Sequence, residues 1–300
     1  MPLNGTAAPN AKKTNDLIVT PGQFSRLIEE AGVPNDTSTI AVAVSGGPDS
    51  MALLTMLAEW AGKRGVTLNA LTVDHGLRPE SAREAAQVAF WCGKLGIAHR
   101  TLPWLGEKPG TGIQEAARKA RYGLLEGWCI ANRCGLLFLG HTMNDQAETF
   151  LMRLSRGSGV DGLAGMPLVS FSDSVRIIRP LLSLSKERLE ATLLDRSVGW
   201  IEDPSNTDGR FSRVAMRRQL GRLERTGLSI ASVAGAARIF GQLRAVAEND
   251  LRNLADQCVV LHTTGFADIQ TAELQDAPEE LKANLISVML TLIGGRNYGP

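Results

Sequence analysis

The sequence predicts an α/β protein, with a doubly wound, mostly parallel sheet followed by a mainly helical C-terminal region. Three observations carry that prediction. Short apolar runs at residues 40–44, 68–74, 98–102 and 136–139 alternate with helical patterns, the order of a parallel sheet built from βαβ units. The first run passes into Ser45-Gly46-Gly47-Pro48-Asp49-Ser50, a tight glycine turn, and a helical pattern with Met51, Leu54 and Leu57 on one stripe starts there. Beyond Arg156 the alternation stops, and from Phe211 onward helices dominate.

Taken in order, residues 1–20 are small and polar and read as a flexible arm. Residues 21–31 form a short helix with Pro21 in its first turn and Phe24, Leu27 and Ile28 facing inward. Residues 40–44 are β-branched or small, as a strand buried on both faces requires. The next strand ends at Asp74, residues 81–94 are helical, and residues 98–102 form a third strand. The helix at 113–131 has an expected core stripe of Ile113, Ala117, Ala120, Leu124 and Trp128. A fourth strand at 136–139 precedes a helix at about 144–155, with Met143, Ala147, Phe150, Leu151 and Leu154 toward the core. The glycine-rich stretch 157–165 contains a Gly-x-Gly-x-x-Gly spacing, but it follows a helix rather than a strand, so a dinucleotide site is excluded. Residues 185–197 are helical, and residues 230–254 form a long amphipathic stretch. Two short strands near Val259 and Ile269 precede a last helix at 279–292. The expected domains are an α/β domain over 21–228 and a mainly helical region over 229–300.

Composition bounds the function. With 300 residues, 44% hydrophobic and 21% charged, the chain suits one large or two modest soluble domains. A formal net charge of +1 gives no general pull toward nucleic acid, so any RNA contact must come from local clusters. Arg210, Arg213, Arg217, Arg218, Arg222 and Arg225 are such a cluster, with Glu224 the one acid among them. Cys92, Cys129, Cys134 and Cys258 show no metal-site or redox spacing and read as reduced core cysteines. The first residues carry no apolar signal core and no run approaches membrane-spanning length, so a cytoplasmic protein is expected.

The chemistry gathers at strand ends. A glycine turn between a strand and a helix N-terminus lets backbone amides approach phosphate, while the bland alternative has Asp49 or Ser50 merely capping the helix. Asp74-His75-Gly76 is either a strand-terminating turn or part of the same cleft. Gln114, Arg118 and Arg121 lie on one flank of their helix, open to solvent or to phosphate. His141 follows the fourth strand, and Asp145 and Glu148 stand three residues apart on the next helix. There they either hold Mg²⁺ or a substrate ammonium, or cap the helix and face water. Ser45, Asp74 and His141 all fall at carboxyl ends of strands, where ligands of open α/β sheets sit.

Ser-Gly-Gly-Pro-Asp-Ser resembles the phosphate loop of the N-type ATP pyrophosphatases, the PP-loop superfamily with its adenine nucleotide α-hydrolase-like fold. Val-Asp-His-Gly-Leu-Arg, Gln-Glu-Ala-Ala-Arg-Lys-Ala-Arg-Tyr, Asn-Asp-Gln-Ala-Glu-Thr, Arg-Gly-Ser-Gly-Val-Asp-Gly-Leu-Ala-Gly-Met and Trp-Ile-Glu-Asp-Pro-Ser-Asn follow in order. Together, over residues 40–218, these segments resemble the tRNA(Ile)-lysidine synthetases. The resemblance implies that ATP adenylates the wobble cytidine of a tRNA(Ile) with a CAU anticodon and that free L-lysine displaces AMP. It implies that Ser45, Gly46, Gly47, Pro48, Asp49 and Ser50 hold ATP, with Asp74, His75 and His141 lining the nucleotide site. Arg118 would neutralise charge at the α-phosphate, and Asp49 and Asp145 would share Mg²⁺ with ATP oxygens. Asp145 and Glu148 would serve lysine, and Arg156, Arg213 and Arg217 the substrates. The oligomeric state stays open, a homodimer included. Asn144 stands where many relatives have aspartate, Val214 where they usually have asparagine, and residues 293–298 resemble the interior of a longer C-terminal region, so a fragment is expected. The rival readings are a tRNA thiolation enzyme using the same ATP chemistry, and a non-catalytic nucleotide or RNA binder.

Overall fold

The structure, a computed structural model, describes residues 16–172, 174–202 and 212–294, without the side chains of residues 212–215, 217 and 218. Most of the expected N-terminal arm, Arg210 and residues 203–206 of the Trp-Ile-Glu-Asp-Pro-Ser-Asn segment therefore lie outside the described residues. Helix α1 (Pro21–Glu30) opens with a reciprocal cap: Gln23 N donates to Thr20 Oγ1 and Thr20 N donates to Gln23 Oε1, both at 3.2 Å. Then follow β1 (Thr39–Ala43), α2 (Pro48–Gly62), β2 (Thr67–Asp74), α3 (Ser81–Lys94), β3 (Ala98–Pro103), α4 (Ile113–Ala131), β4 (Leu136–Phe138) and α5 (Met143–Leu154). A one-turn helix α6 (Val160–Leu163) precedes a hairpin, β5 (Val169–Ser172) and β6 (Val175–Ile178), and helix α7 (Lys186–Asp195). Helices α8 (Ser212–Glu224) and α9 (Ile230–Cys258), strands β7 (Val259–Leu261) and β8 (Ala267–Ile269), and helices α10 (Thr271–Gln275) and α11 (Glu279–Gly294) complete the order.

The main sheet has the strand order β3-β2-β1-β4-β6-β5, with β5 the one antiparallel member. The chain runs outward from β1 to β3 and then returns to lay β4 on the other side of β1, where Ala41 pairs with Leu137 and Val42 with Phe138. The reversal opens a crevice above β1 and β4, because their crossover helices leave toward opposite sides. The four expected strands are present with ends shifted by one residue at most. The β5–β6 hairpin was not expected: alternation continues past Arg156 by two more strands.

Successive residues of β1 point to opposite faces, and both faces are covered. Ile40, Val42 and Val44 enter a core shared with α1, α2, α3 and α7, while Ala41 joins Leu71, Leu125, Cys129, Leu137 and Ile177 under α4. Two helix stripes need correction. Helix α2 is buried all round from Ser50 to Leu57 rather than along Met51, Leu54 and Leu57, because the sheet, α1 and α7 enclose it. On α4 the fully buried positions are Leu125 and Cys129, one residue on from the expected Leu124 and Trp128.

The chain divides into two compact units, residues 1–152 with 166–235, and residues 153–165 with 236–300. The first contains the six-stranded sheet. The second has its own core of Leu254, Cys258, Leu285 and Met289 beside the β7–β8 pair, and in its loop Arg153 Nη1 donates to Gly162 O at 2.7 Å.

Candidate active site

The glycine turn begins directly after β1. Gly47 occupies the position preceding α2, Pro48 supplies the fixed φ that a first helical residue tolerates, and no side chain caps the helix. Ser50 is therefore not a side-chain cap of α2. Ser50 Oγ instead folds the turn: it donates to Gly47 O at 3.0 Å and accepts from Ser45 N at 3.2 Å, with Ser45 Oγ also 3.2 Å away. Asp49 lies in the first turn of α2, where the helix end favours negative charge. Gly46 has φ +87°, a conformation that side chains resist, and a Cβ there would stand 2.7 Å from Ile201 Cδ1. Ile201 N also donates to Gly46 O at 2.8 Å. The Trp200-Ile201 segment therefore lies on the glycine turn, a contact the sequence reading missed.

The second wall is the end of β4. A Cβ at Gly140 would meet Asp49 O and Ser50 Cα at 3.1 Å, so this glycine lets the β4–α5 turn pack on the backbone of the glycine turn. At the head of α5, Asp145 Oδ2 accepts from Thr142 N at 2.9 Å and from Thr142 Oγ1 at 3.0 Å. Asp145 thus caps α5 through one carboxylate oxygen. Glu148 is 2% exposed and does not face water. Gln146, in the same motif, fastens the chain ahead of β5, its amide donating to Met166 O at 2.6 Å and accepting from Met166 N at 2.7 Å. Asn144 Oδ1 accepts from Lys186 N, the first amide of α7, at 3.4 Å.

Burial pulls His141 down to about 4; Asp145 opposes that, while Arg179, Arg121 and Arg118 reinforce it. Its Nδ1 is buried without a hydrogen-bond partner among the described residues. On the other side of β1, Asp74 Oδ1 accepts from Gly76 N at 2.9 Å, ending β2 in a side-chain-closed turn. His75 stands edge-on to Trp104, and burial, Arg121 and Lys108 lower its pKa against the opposing pull of Asp74. Burial thus favours the neutral imidazole at both positions. Arg118 and Arg121 lie beside the Tyr122 ring at 5.0 and 5.6 Å from its centroid. Arg121 acts on both histidines, so α4 contributes a second arginine that the expected site residues omitted.

The first unit therefore assembles Ser45–Ser50, Asp74, His75, Arg118, His141, Asp145 and Glu148 on elements bordering the carboxyl ends of β2, β1 and β4. Arg156 belongs to the second unit. Arg213 and Arg217 lie on α8 with side chains outside the described residues. Arg179, at the end of β6, was missed with its strand: it is 7% exposed, and its Nη1 donates to Pro167 O at 3.2 Å and Ser170 Oγ at 2.9 Å.

The PP-loop domain family matches residues 20–224. The tRNA(Ile)-lysidine synthase of Bradyrhizobium diazoefficiens is 40% identical over 264 residues, covering 85% of this chain and 73% of that protein. The chain belongs to the tRNA(Ile)-lysidine synthase family. Two further lysidine synthases, from Bradyrhizobium sp. and Ruegeria pomeroyi, are 49% and 40% identical over 208 and 268 residues, covering 68% and 87% of this chain. The chain spans only 58% and 62% of their lengths. Among solved structures, the U34-tRNA thiolase NcsA of Methanococcus maripaludis superposes with a TM-score of 0.61 at 18% identity, over 73% of this chain and 78% of that one, a likeness of fold. Within the lysidine synthase family fold, the mostly parallel sheet and helical C-terminal region agree with the expected class. Among the described residues no helix is long and apolar enough to cross a membrane.

Proposed function

We propose that this chain activates the wobble cytidine of a tRNA(Ile) with a CAU anticodon by adenylation and joins free L-lysine to it. The observation that carries the reading is the meeting at the β1–β4 switch point of a glycine turn suited to phosphate and a helix bearing Asp145 and Glu148. The amides of the turn and the N-terminus of α2 hold the β- and γ-phosphates of ATP, and the Asp74–His75 turn lies against the nucleoside. The cytosine oxygen on carbon 2 attacks the α-phosphorus, and the bond to pyrophosphate breaks with its electron pair leaving on pyrophosphate. Arg118, with Arg121 beside it, offsets the charge that grows on the α-phosphate oxygens. The side-chain amine of lysine then attacks carbon 2, AMP leaves, and the amine loses a proton. Asp145 and Glu148 divide the tasks of anchoring the lysine ammonium and accepting that proton.

Thr142 engages only Oδ2 of Asp145, and Asp49 begins α2 beside the phosphate turn, so hard carboxylate oxygens suited to Mg²⁺ are at hand. Bound there together with phosphate oxygens, the ion would supply charge neutralisation. The arginines of α8 and Arg156 serve tRNA phosphates, and the reaction belongs to the cytoplasm, where tRNA and ATP are found. The thiolation reading finds little support: all four cysteines are buried in cores, and burial raises the Cys92 thiol to about 11. The test supplies the chain with ATP, Mg²⁺, labelled lysine and a CAU transcript, beside a transcript altered only at the wobble position. Lysine should enter the first alone, with one AMP and one pyrophosphate released for each lysine. Equal labelling of both transcripts, or of neither, contradicts the proposal.

A further inference from the structure

The peptide that joins β1 to the glycine turn, between Val44 and Ser45, is held on both of its sides. Val44 N continues the ladder onto β2, donating to Leu71 O at 2.8 Å. The carbonyl of Val44 then accepts from a side chain of the same strand, Thr72 Oγ1, at 2.8 Å. The amide of the same peptide, Ser45 N, donates to Ser50 Oγ of α2 at 3.2 Å. One hydroxyl from β2 and one from α2 therefore fix the plane from which the turn departs, just ahead of Gly46 with its φ of +87°. Tilting that plane would re-aim the amides that follow it, because only two soft torsions per residue separate successive peptides.

Thr72 is itself held. It is 5% exposed, and its Oγ1 lies 2.8 Å from His99 Nε2 of β3. A hydroxyl has one proton and a carbonyl oxygen has none, so Thr72 donates to Val44 and accepts from His99. His99 must then carry a proton on Nε2, and burial, which lowers its pKa, favours the neutral ring with that proton alone. Register sets Ala70 beside His99, so His99 and Thr72 stand on the same face of the sheet. The hydrogen bonds run inward from the edge strand β3, through β2, to the strand that bears the turn. We infer that Thr72 is a positioning residue for the phosphate turn, holding the Val44–Ser45 peptide in the orientation ATP requires, and that His99 orients Thr72. The inference deepens the proposed function and rests on its reading of the turn as the seat of the ATP phosphates. Thr72 is buried and acts through the Val44 carbonyl, so its loss should change phosphate affinity and spare the nucleoside.

The test measures equilibrium binding of ATP with Mg²⁺, and of adenosine, which lacks the phosphates, to the whole chain. Wild type should prefer ATP. Thr72→Val keeps the shape and removes the hydroxyl. It should weaken ATP by about 3- to 10-fold, the worth of one neutral hydrogen bond, and leave adenosine unchanged. Thr72→Ser, which restores the hydroxyl, should return ATP binding toward wild type. His99→Phe should weaken ATP less, and adding it to Thr72→Val should cost nothing further, since His99 acts through Thr72. Retained adenosine binding shows that the variants are folded. If Thr72 only satisfied a buried carbonyl, Thr72→Val would lower the melting temperature and keep the preference for ATP. That result overturns the inference, as does a Thr72→Val variant that loses both ligands together or a Thr72→Ser variant as weak as Thr72→Val. A wild type without preference for ATP removes the phosphate reading of the turn and the inference with it. AMP transfer to the transcript is read separately. Its absence beside Thr72-dependent ATP binding counts against the enzyme reading alone, and its presence beside Thr72-independent binding counts against the positioning alone.

Discussion

At the residue scale the two glycines of the turn after β1 differ in what they are for. Gly46 needs its glycine conformation and its clearance from Ile201, whereas at Gly47 φ is −70° and a Cβ would meet only Ser45 Oγ at an ordinary 3.7 Å. Gly46→Ala should therefore destabilise the fold by about 1–2 kcal/mol from backbone strain alone. Gly47→Ala should melt like wild type while weakening ATP, because its methyl group intrudes where phosphate must approach. Thermal melts and ATP titrations of the two variants check this, and a Gly47→Ala chain with normal ATP affinity would remove the close approach from the account. His141 gives a second residue-scale expectation. It binds its proton near pH 4 when folded and near 6.5 when unfolded, so between those values the unfolded chain holds more protons. The stability it contributes is complete above pH 6.5, is lost as pH falls through the window, and levels off below about 4. His75 and His99, also lowered chiefly by burial, slope the same way. His141→Asn should accordingly flatten the denaturation midpoint against pH between 6.5 and 4 without abolishing the slope; an unchanged profile would show that His141 does not stay neutral in the fold.

At the element scale the site depends on two turns lying on each other. Gly140→Ala would press a methyl group onto the Asp49–Ser50 backbone, which must yield by a few tenths of an ångström. The shift should lower turnover by about tenfold or more, since small misplacements of reacting groups are expensive. Steady-state rates with ATP and transcript saturating would measure it, and wild-type turnover would mean that the β4–α5 turn is not coupled to the phosphate site. The same scale explains what was legible in the sequence. β1, β2, β3 and β4 were readable because buried parallel strands are short apolar runs bounded by breaks, and the glycine turn because its chemistry is local. The β5–β6 hairpin was not, because Phe171 and Ser172 face solvent in part and Arg176 interrupts the apolar run of β6. Arg176 is accommodated by tertiary bonds, donating from Nη1 to Gly32 O at 2.8 Å and from Nη2 to Ala31 O at the end of α1. With the hairpin went Arg179. Gly140 and Ile201 stayed hidden for a related reason, as each matters through a neighbour distant in the chain.

At the scale of the whole molecule, a net charge of +1 gives no general pull toward nucleic acid, so the proposed RNA contact rests on local charge. Arg222 and Arg225, at the end of α8 and just beyond it, are both exposed. Replacing both with glutamine should weaken transcript binding and reduce the salt slope of log K by about two units, roughly one per arginine. An unchanged slope would assign the cluster to a solvated helix face. The central claim concerns the β1–β4 switch point, that ATP bound at its glycine turn activates a base of RNA. Its most direct measurement follows AMP from α-labelled ATP onto a CAU transcript without lysine, in wild type and in Asp49→Ala. The account predicts labelled RNA with wild type and a loss of about 3 kcal/mol, on the order of a hundredfold or more, in the variant at an unchanged melting temperature. Near-normal labelling by Asp49→Ala would contradict it.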